Sequence, residues 1–196
     1  KTIYSTGKGT TPEYVLNYVL QQNGLDPQKD VTIEYKAEAS EIAALLSEGQ
    51  QGIAMLPQPY VTTVMSKMPN LRVALDMTAE WDRVAKGESN LVTGVLVVRR
   101  AFAEQNQDAL NAFLKEYKDS VAFVNSNVDV AAELVAKQGI VPSAAIAKQA
   151  IPACNITLID GDEMQTKAGG YLQVLFEQNP ASVGGKLPDE AFYYKH

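Results

Sequence analysis

The sequence predicts an α/β fold: a three-layer lobe on a mostly parallel sheet over residues 1–100, then a mainly helical part over residues 101–196. Three observations carry this expectation. Short β-prone runs alternate with amphipathic stretches of about ten residues, the pattern of strands joined by crossover helices. One of these runs, Gly52-Ile53-Ala54-Met55-Leu56, is apolar throughout, as a strand covered on both faces requires. From Phe102 onward the apolar spacing is helical almost to the end.

Ile3-Tyr4-Ser5-Thr6 is the first strand, and Gly7-Lys8-Gly9-Thr10 leads it into a helix. Thr11 is the expected N-cap, Pro12 takes the first helical position where its missing N–H costs nothing, and Glu13 suits the positive end of the helix dipole. Val15, Leu16, Val19 and Leu20 share a face until Gly24 stops the helix. Val31-Thr32-Ile33-Glu34-Tyr35 alternates as a strand, and Ser40 is the expected cap of a helix that buries Ile42, Leu45 and Leu46 and ends at Gly49. After the 52–56 strand, residues 59–67 resume helical spacing through Val61, Val64 and Met65, and residues 71–77 supply a further strand. Residues 78–90 are polar, hold the only tryptophan, Trp81, and read as a surface loop; residues 91–99 read as the next strand.

In the second half, Leu110, Phe113, Leu114, Tyr117, Val121 and Val124 form one long apolar stripe. Helices over 128–138 and 143–150 follow, broken by Gly139 and Pro142. Residues 155–159 read as extended, and Asp162 as the cap of a helix running to about Gln178, which Asn179-Pro180 and Gly184-Gly185 terminate. The aromatic ending Phe192-Tyr193-Tyr194 is expected to dock. The composition shift near residue 100 is the candidate domain boundary.

Composition excludes several classes of function. With 196 residues, 46% of them hydrophobic, the chain has material for a substantial core. A net charge of −6 and no basic cluster longer than Arg99-Arg100 argue against nucleic acid. No window approaches the roughly 18 apolar residues of a membrane span. One cysteine, Cys154, sits in an apolar run and reads as a structural thiol. The sole histidine is His196, so Ser-His-Asp and Cys-His arrangements and imidazole metal sites are not expected.

The candidate chemistry is binding. Gly7 and Gly9 allow close approach to the backbone, and the first-turn N–H groups with the Thr10 and Thr11 hydroxyls suit an anionic or polar group. The loop lacks the spacing of a phosphate-binding Gly-x4-Gly-Lys-[Ser/Thr]. Asp160-Gly161-Asp162-Glu163 lacks the ligand register of a calcium loop, and Asp76, Glu80 and Asp82 have no matched partner for acid/base work. No catalytic set, metal site or cofactor is expected. The loops at Gly7–Thr11, Ala39-Ser40, residues 57–60 and residues 78–81 follow successive strands and are expected to converge at the carboxyl edge of the sheet.

The run Ser5-Thr6-Gly7-Lys8-Gly9-Thr10-Thr11-Pro12-Glu13-Tyr14-Val15-Leu16, with Ser40-Glu41-Ile42-Ala43-Ala44-Leu45-Leu46-Ser47-Glu48-Gly49, Ile53-Ala54-Met55-Leu56-Pro57-Gln58-Pro59 and Gly94-Val95-Leu96-Val97-Val98-Arg99, resembles bacterial ABC-transporter solute-binding proteins. The nearest group is NMT1/THI5-like, with binders of sulfonates, taurine, nitrate and thiamine precursors. Gly184-Gly185-Lys186-Leu187-Pro188-Asp189 resembles the C-terminal signature of a lipoprotein subgroup. The resemblance implies a type II periplasmic-binding-protein-like fold of two lobes, with residues 1–100 as the second lobe and residues 101–196 packing on a first lobe. Roughly a hundred residues, a small domain's length, are then expected to precede Lys1, with a signal peptide and a lipid-bearing cysteine ahead of them.

It further implies a solute partner, an ABC permease and ATPase, an extracytoplasmic place, and a membrane link only through that lipid. The implied ligand contacts are Thr10 and Thr11, then Ser40, Gln58 and Pro59; Lys8, Gly9 and Trp81 are included from their position. Two other readings share the fold: a biosynthetic enzyme making a pyrimidine or menaquinone precursor, and the effector domain of a transcription regulator. The yeast pyrimidine synthases rely on histidine, which this chain lacks internally.

Overall fold

The computed structural model describes residues 1–49 and 51–195; His196 lies outside them. They form two compact units. One comprises residues 1–56, 70–93 and 159–196, and the other residues 57–69 and 94–158. The last long helix therefore belongs with the sheet, where the composition shift near residue 100 would have placed it in a separate C-terminal part.

The first unit is built on three parallel strands, β1 (Thr2–Thr6), β2 (Thr32–Lys36) and β3 (Ile53–Ala54), in the order β2-β1-β3. Thr6 of β1 stands beside Lys36 of β2, and Tyr4 beside Ala54 of β3. Ile3, Tyr4 and Ser5 are buried in succession. Because successive side chains point to opposite faces, β1 is covered on both sides, and α1 (Thr11–Gln22) and α2 (Ala39–Ser47) both pack against it.

Two more helices close this unit, α4 (Met77–Ala85) and α9 (Gly161–Gln178), each packed on α1 or on its core. The interior there is aromatic: Tyr14, Val15 and Val19 meet Trp81, Ala85, Tyr171 and Leu175. The Trp81 ring lies 4.5 Å from that of Tyr18 and 5.3 Å from that of Tyr171. Gly170 sits inside α9 because a Cβ there would run into the Glu88 carbonyl; its absence lets the turn carrying Ser89 lie directly on the helix.

The second unit is helical: α3 (Tyr60–Lys67), α5 (Arg100–Gln105), α6 (Gln107–Ser126), α7 (Val128–Lys137) and α8 (Ala144–Ala150), with a 3₁₀ turn at Ile151–Ala153. Its core is made of small side chains, Ala131, Ala132 and Ala147, with Val141 and Ile151. Of the long stripe expected on α6, only Leu110 is fully buried; Leu114, Tyr117, Val121 and Val124 are half-buried and Phe113 is exposed.

Several expected elements differ. Residues 78–90 are not a loop: Asp76 caps α4 by accepting the Ala79 N–H at 2.9 Å, and Met77, Trp81, Val84 and Ala85 form its inner face. Lys86, in the left-handed region at φ 52°, ends it. Residues 71–76 and 91–99 form no strand; 91–99 is rich in β-branched side chains, but β propensity without a ladder partner makes none, and Val97 is left 83% exposed. Residues 155–159 likewise join no sheet. The caps shift by one or two residues: Thr10 precedes α1, Glu38 precedes α2 and Asp160 precedes α9.

Candidate functional site

In the first unit, β1 is the central strand, and the chain runs to β2 on one side of it before reaching β3 on the other. This reversal makes a topological switch point at the carboxyl ends of β1 and β3, the usual place for a ligand crevice in an open α/β sheet. Gly7–Thr11, leaving β1, borders it. The opening of α2, with exposed Ser40 in its first turn, leaves β2 at the same edge of the sheet.

The loop is pinned from within. Gly7 has φ +73°, and a Cβ on it would press on the Thr10 hydroxyl and on Pro12, so the turn needs glycine twice over. Its carbonyl accepts both the Thr10 N–H at 3.0 Å and the Thr10 hydroxyl at 2.7 Å. The Thr10 side chain thus closes the turn instead of capping α1. Glu13 reaches back so that Oε2 accepts the Gly9 N–H at 2.5 Å, and the Gly9 carbonyl accepts from the Tyr14 hydroxyl at 3.2 Å. Asn179 donates to that same Tyr14 oxygen at 2.9 Å, and Gln178 donates to the Tyr14 carbonyl at 2.7 Å. Tyr35, at the end of β2, hydrogen-bonds to Glu13; burial first, then the Glu13 charge, pushes its phenol up to about 12.

Of the expected site residues, Lys8, Gly9 and Thr10 are exposed on this loop and Thr11 is half-buried. At Gly9, where close approach to the backbone is expected, the N–H is occupied by Glu13. Trp81 offers no surface: its side chain is fully buried, and its indole N–H donates to Ser89 Oγ at 3.0 Å. Gln58 and Pro59 belong to the second unit. There, Gln58 Oε1 accepts from the Thr62 hydroxyl at 2.9 Å and Pro59 is the residue preceding α3, so both serve to start that helix. Tyr14, Tyr35, Tyr171 and Asn179 are the residues sequence reasoning missed. Tyr14 and Tyr35 flank the loop in ordinary core spacing, and nothing in the local pattern singles out Tyr171 or Asn179.

Among the described residues, no group of three or more His, Cys, Asp and Glu side chains is arranged to hold a metal, and no helix is long and apolar enough to cross a membrane. Cys154 is half-buried, and burial raises its thiol above its ordinary value. A cleft of about 390 Å³ between α9 and the C-terminal segment, lined by Leu187, Pro188, Asp189 and Tyr193 among others, includes none of the expected site residues.

Residues 2–137 match the NMT1-like family. The chain belongs to that family. The NMT1-like chain is also similar to a crystal structure of an ABC transporter from Parabacteroides distasonis, with a TM-score of 0.76 at 22% sequence identity, over 99% of this chain and 66% of that one. Likeness at that identity speaks for the fold alone, and it is the periplasmic-binding-protein-like α/β fold. The NMT1-like chain spans 66% of the length of that structure. No curated protein matches it.

Proposed function

We propose that this NMT1-like chain is part of the solute-binding component of an ABC importer. It captures a small polar or anionic organic solute, of the sulfonate, nitrate or thiamine-precursor class, and passes it to a membrane permease and its ATPase. The observation that carries the reading is the Gly7–Thr11 loop, fixed at the switch point of the parallel sheet with the start of α1 behind it. Thr11 is the donor contact proposed, on the turn that Thr10 holds closed, with Lys8 and Ser40 at the margin, where a cation and a hydroxyl suit an oxyanion. Family membership and the likeness to an ABC transporter structure support the reading.

The proposal contains no bond-making step: the solute is held, enclosed as domains close, and released unchanged. It places the protein outside the cytoplasm, held at the membrane by a lipid anchor. Native mass spectrometry of the intact gene product, followed by thermal-shift titration with taurine, ethanesulfonate, nitrate and a thiamine precursor, tests it. One solute per chain, recovered unaltered, is the expected result. Turnover of a bound compound, or no stabilisation by any member of the panel, contradicts it.

A further inference from the structure

The cleft of about 390 Å³ beside α9 takes no part in the reading above, and none of Lys8, Gly9, Thr10, Thr11 or Ser40 lines it. Gly169 faces it from α9, and Leu187, Pro188, Asp189, Glu190 and Tyr193 face it from the C-terminal segment. The Gly184–Asp189 run singled out in the sequence therefore ends in this cleft. An ion pair of 2.6 Å between Lys195 and Asp162 ties the segment back to the first turn of α9.

Gly169 and Gly170 adjoin in the interior of α9, where glycine destabilises a helix relative to alanine. Gly170 has a packing reason, the Glu88 carbonyl against it. Gly169 has none of that kind. A Cβ there would meet only the Tyr193 hydroxyl, at 3.4 Å, which is an ordinary contact, and the rest of a side chain would extend into the cleft. What glycine preserves at this position is space.

The lining says what the space suits. The Asp189 carboxylate does not cap the 3₁₀ turn Glu190–Phe192 that it precedes. Among the described residues, neither Asp189 nor Glu190 forms an ion pair. Lys167 on α9 and Lys195 are taken by Glu163 and Asp162, each at 2.6 Å, and Lys186 is not in the lining. Two uncompensated carboxylates beside the apolar surface of Leu187, Pro188 and Tyr193 match a cation on a short hydrocarbon body. The net charge of −6 favours its approach.

We propose that this cleft is a second ligand site, for a small organic ammonium cation. Its hydrocarbon part lies on Leu187, Pro188 and Tyr193, and its charged head faces Asp189 and Glu190. Gly169 keeps the space open, with a loss of helix stability that the empty cleft alone does not explain. The site stands independently of the solute-binding reading: it prefers the opposite charge and shares no residue with the Gly7–Thr11 loop.

The test is calorimetric titration of the intact gene product with pentylamine and with pentanoate, probes that share a hydrocarbon body and carry opposite charges at neutral pH. Pentylamine is expected to bind once per chain, and pentanoate at least about fivefold more weakly. The Asp189→Asn/Glu190→Gln double variant is expected to bind pentylamine about fivefold more weakly than the natural protein, the scale of two exposed charge contacts. Gly169→Leu, which fills the cleft, is expected to abolish binding, and Gly169→Ala to weaken it while melting above the natural protein. Equal binding of the two probes, no binding of pentylamine, or full affinity in Gly169→Leu would overturn the inference. So would a Gly169→Ala variant that melts below the natural protein, because the glycine would then be serving the packing of α9.

Discussion

The two units have interiors of different kinds. The sheet unit is closed around Trp81, Tyr14 and Tyr171, large rings among which the Trp81 indole meets Ser89 and the Tyr14 hydroxyl meets Gly9 and Asn179. The helical unit is closed around Ala131, Ala132 and Ala147, which let α7 and α8 approach closely but carry no polar handle. Aromatic side chains bury a large area and orient hydrogen-bonding groups at the same time. Alanines bury little and orient nothing. The difference teaches where a binding loop can be held to fixed geometry: the loop that is pinned by long-range hydrogen bonds from Gln178 and Asn179 is the one standing on the aromatic interior.

The comparison breaks first at Trp81. Trp81→Ala is expected to cost about 3–5 kcal/mol, the range for truncating a buried large aromatic, in urea unfolding followed by circular dichroism. A loss below about 1 kcal/mol would mean that the ring is not the centre of that interior. In the helical unit, Ile151→Val removes one methylene from a core residue and is expected to cost about 0.5–1.5 kcal/mol by the same measurement. No measurable effect there would mark that interior as loose enough to absorb the change.

A third prediction concerns alkaline pH and sharpens the role of the loop's supports. The Tyr35 phenol titrates near 12 in the folded chain and near 10 in an unfolded one, so the unfolded state loses its proton first. The stabilisation is therefore whole below pH of about 10 and declines as pH rises toward 12. Tyr35→Phe is expected to flatten part of the fall in urea midpoint between pH 9 and 11.5. An equally steep fall in the variant would mean that Tyr35 ionises as freely as an exposed phenol.

Much of the sheet unit was legible because its signals are local. Gly7, Pro12 and Gly24 punctuate β1 and α1, and alternation marks β2. The misreadings have specific causes. α4 was hidden because Glu80, Asp82 and Arg83 make its outer face polar enough to pass for a loop, while Asp76 and the spacing of Met77, Trp81, Val84 and Ala85 were the available signals. Residues 91–99 carry strand-forming side chains, but a strand is a relation between two segments, and no neighbour in sequence reveals whether the second is present.

The same distinction holds at the site. Thr10 and Thr11 are visible as a helix start, whereas Tyr171 and Asn179 come to α1 from about 160 residues away and carry no local mark. Trp81 points to the site only by its position after the strand expected over residues 71–77. Its surroundings show that it is core.

The measurement that bears most directly on the account is calorimetric titration of the intact gene product with the solute identified by native mass spectrometry, comparing the natural protein with the Thr10→Val/Thr11→Val double variant and recording both melting temperatures. The account predicts that affinity falls by about 1–3 kcal/mol, because the Thr11 donor and the turn held by Thr10 are lost together. The fall in stability from the lost Thr10–Gly7 hydrogen bond should be smaller, about 1 kcal/mol. Unchanged affinity with lowered stability would contradict it, leaving Gly7–Thr11 as a well-built turn and nothing more.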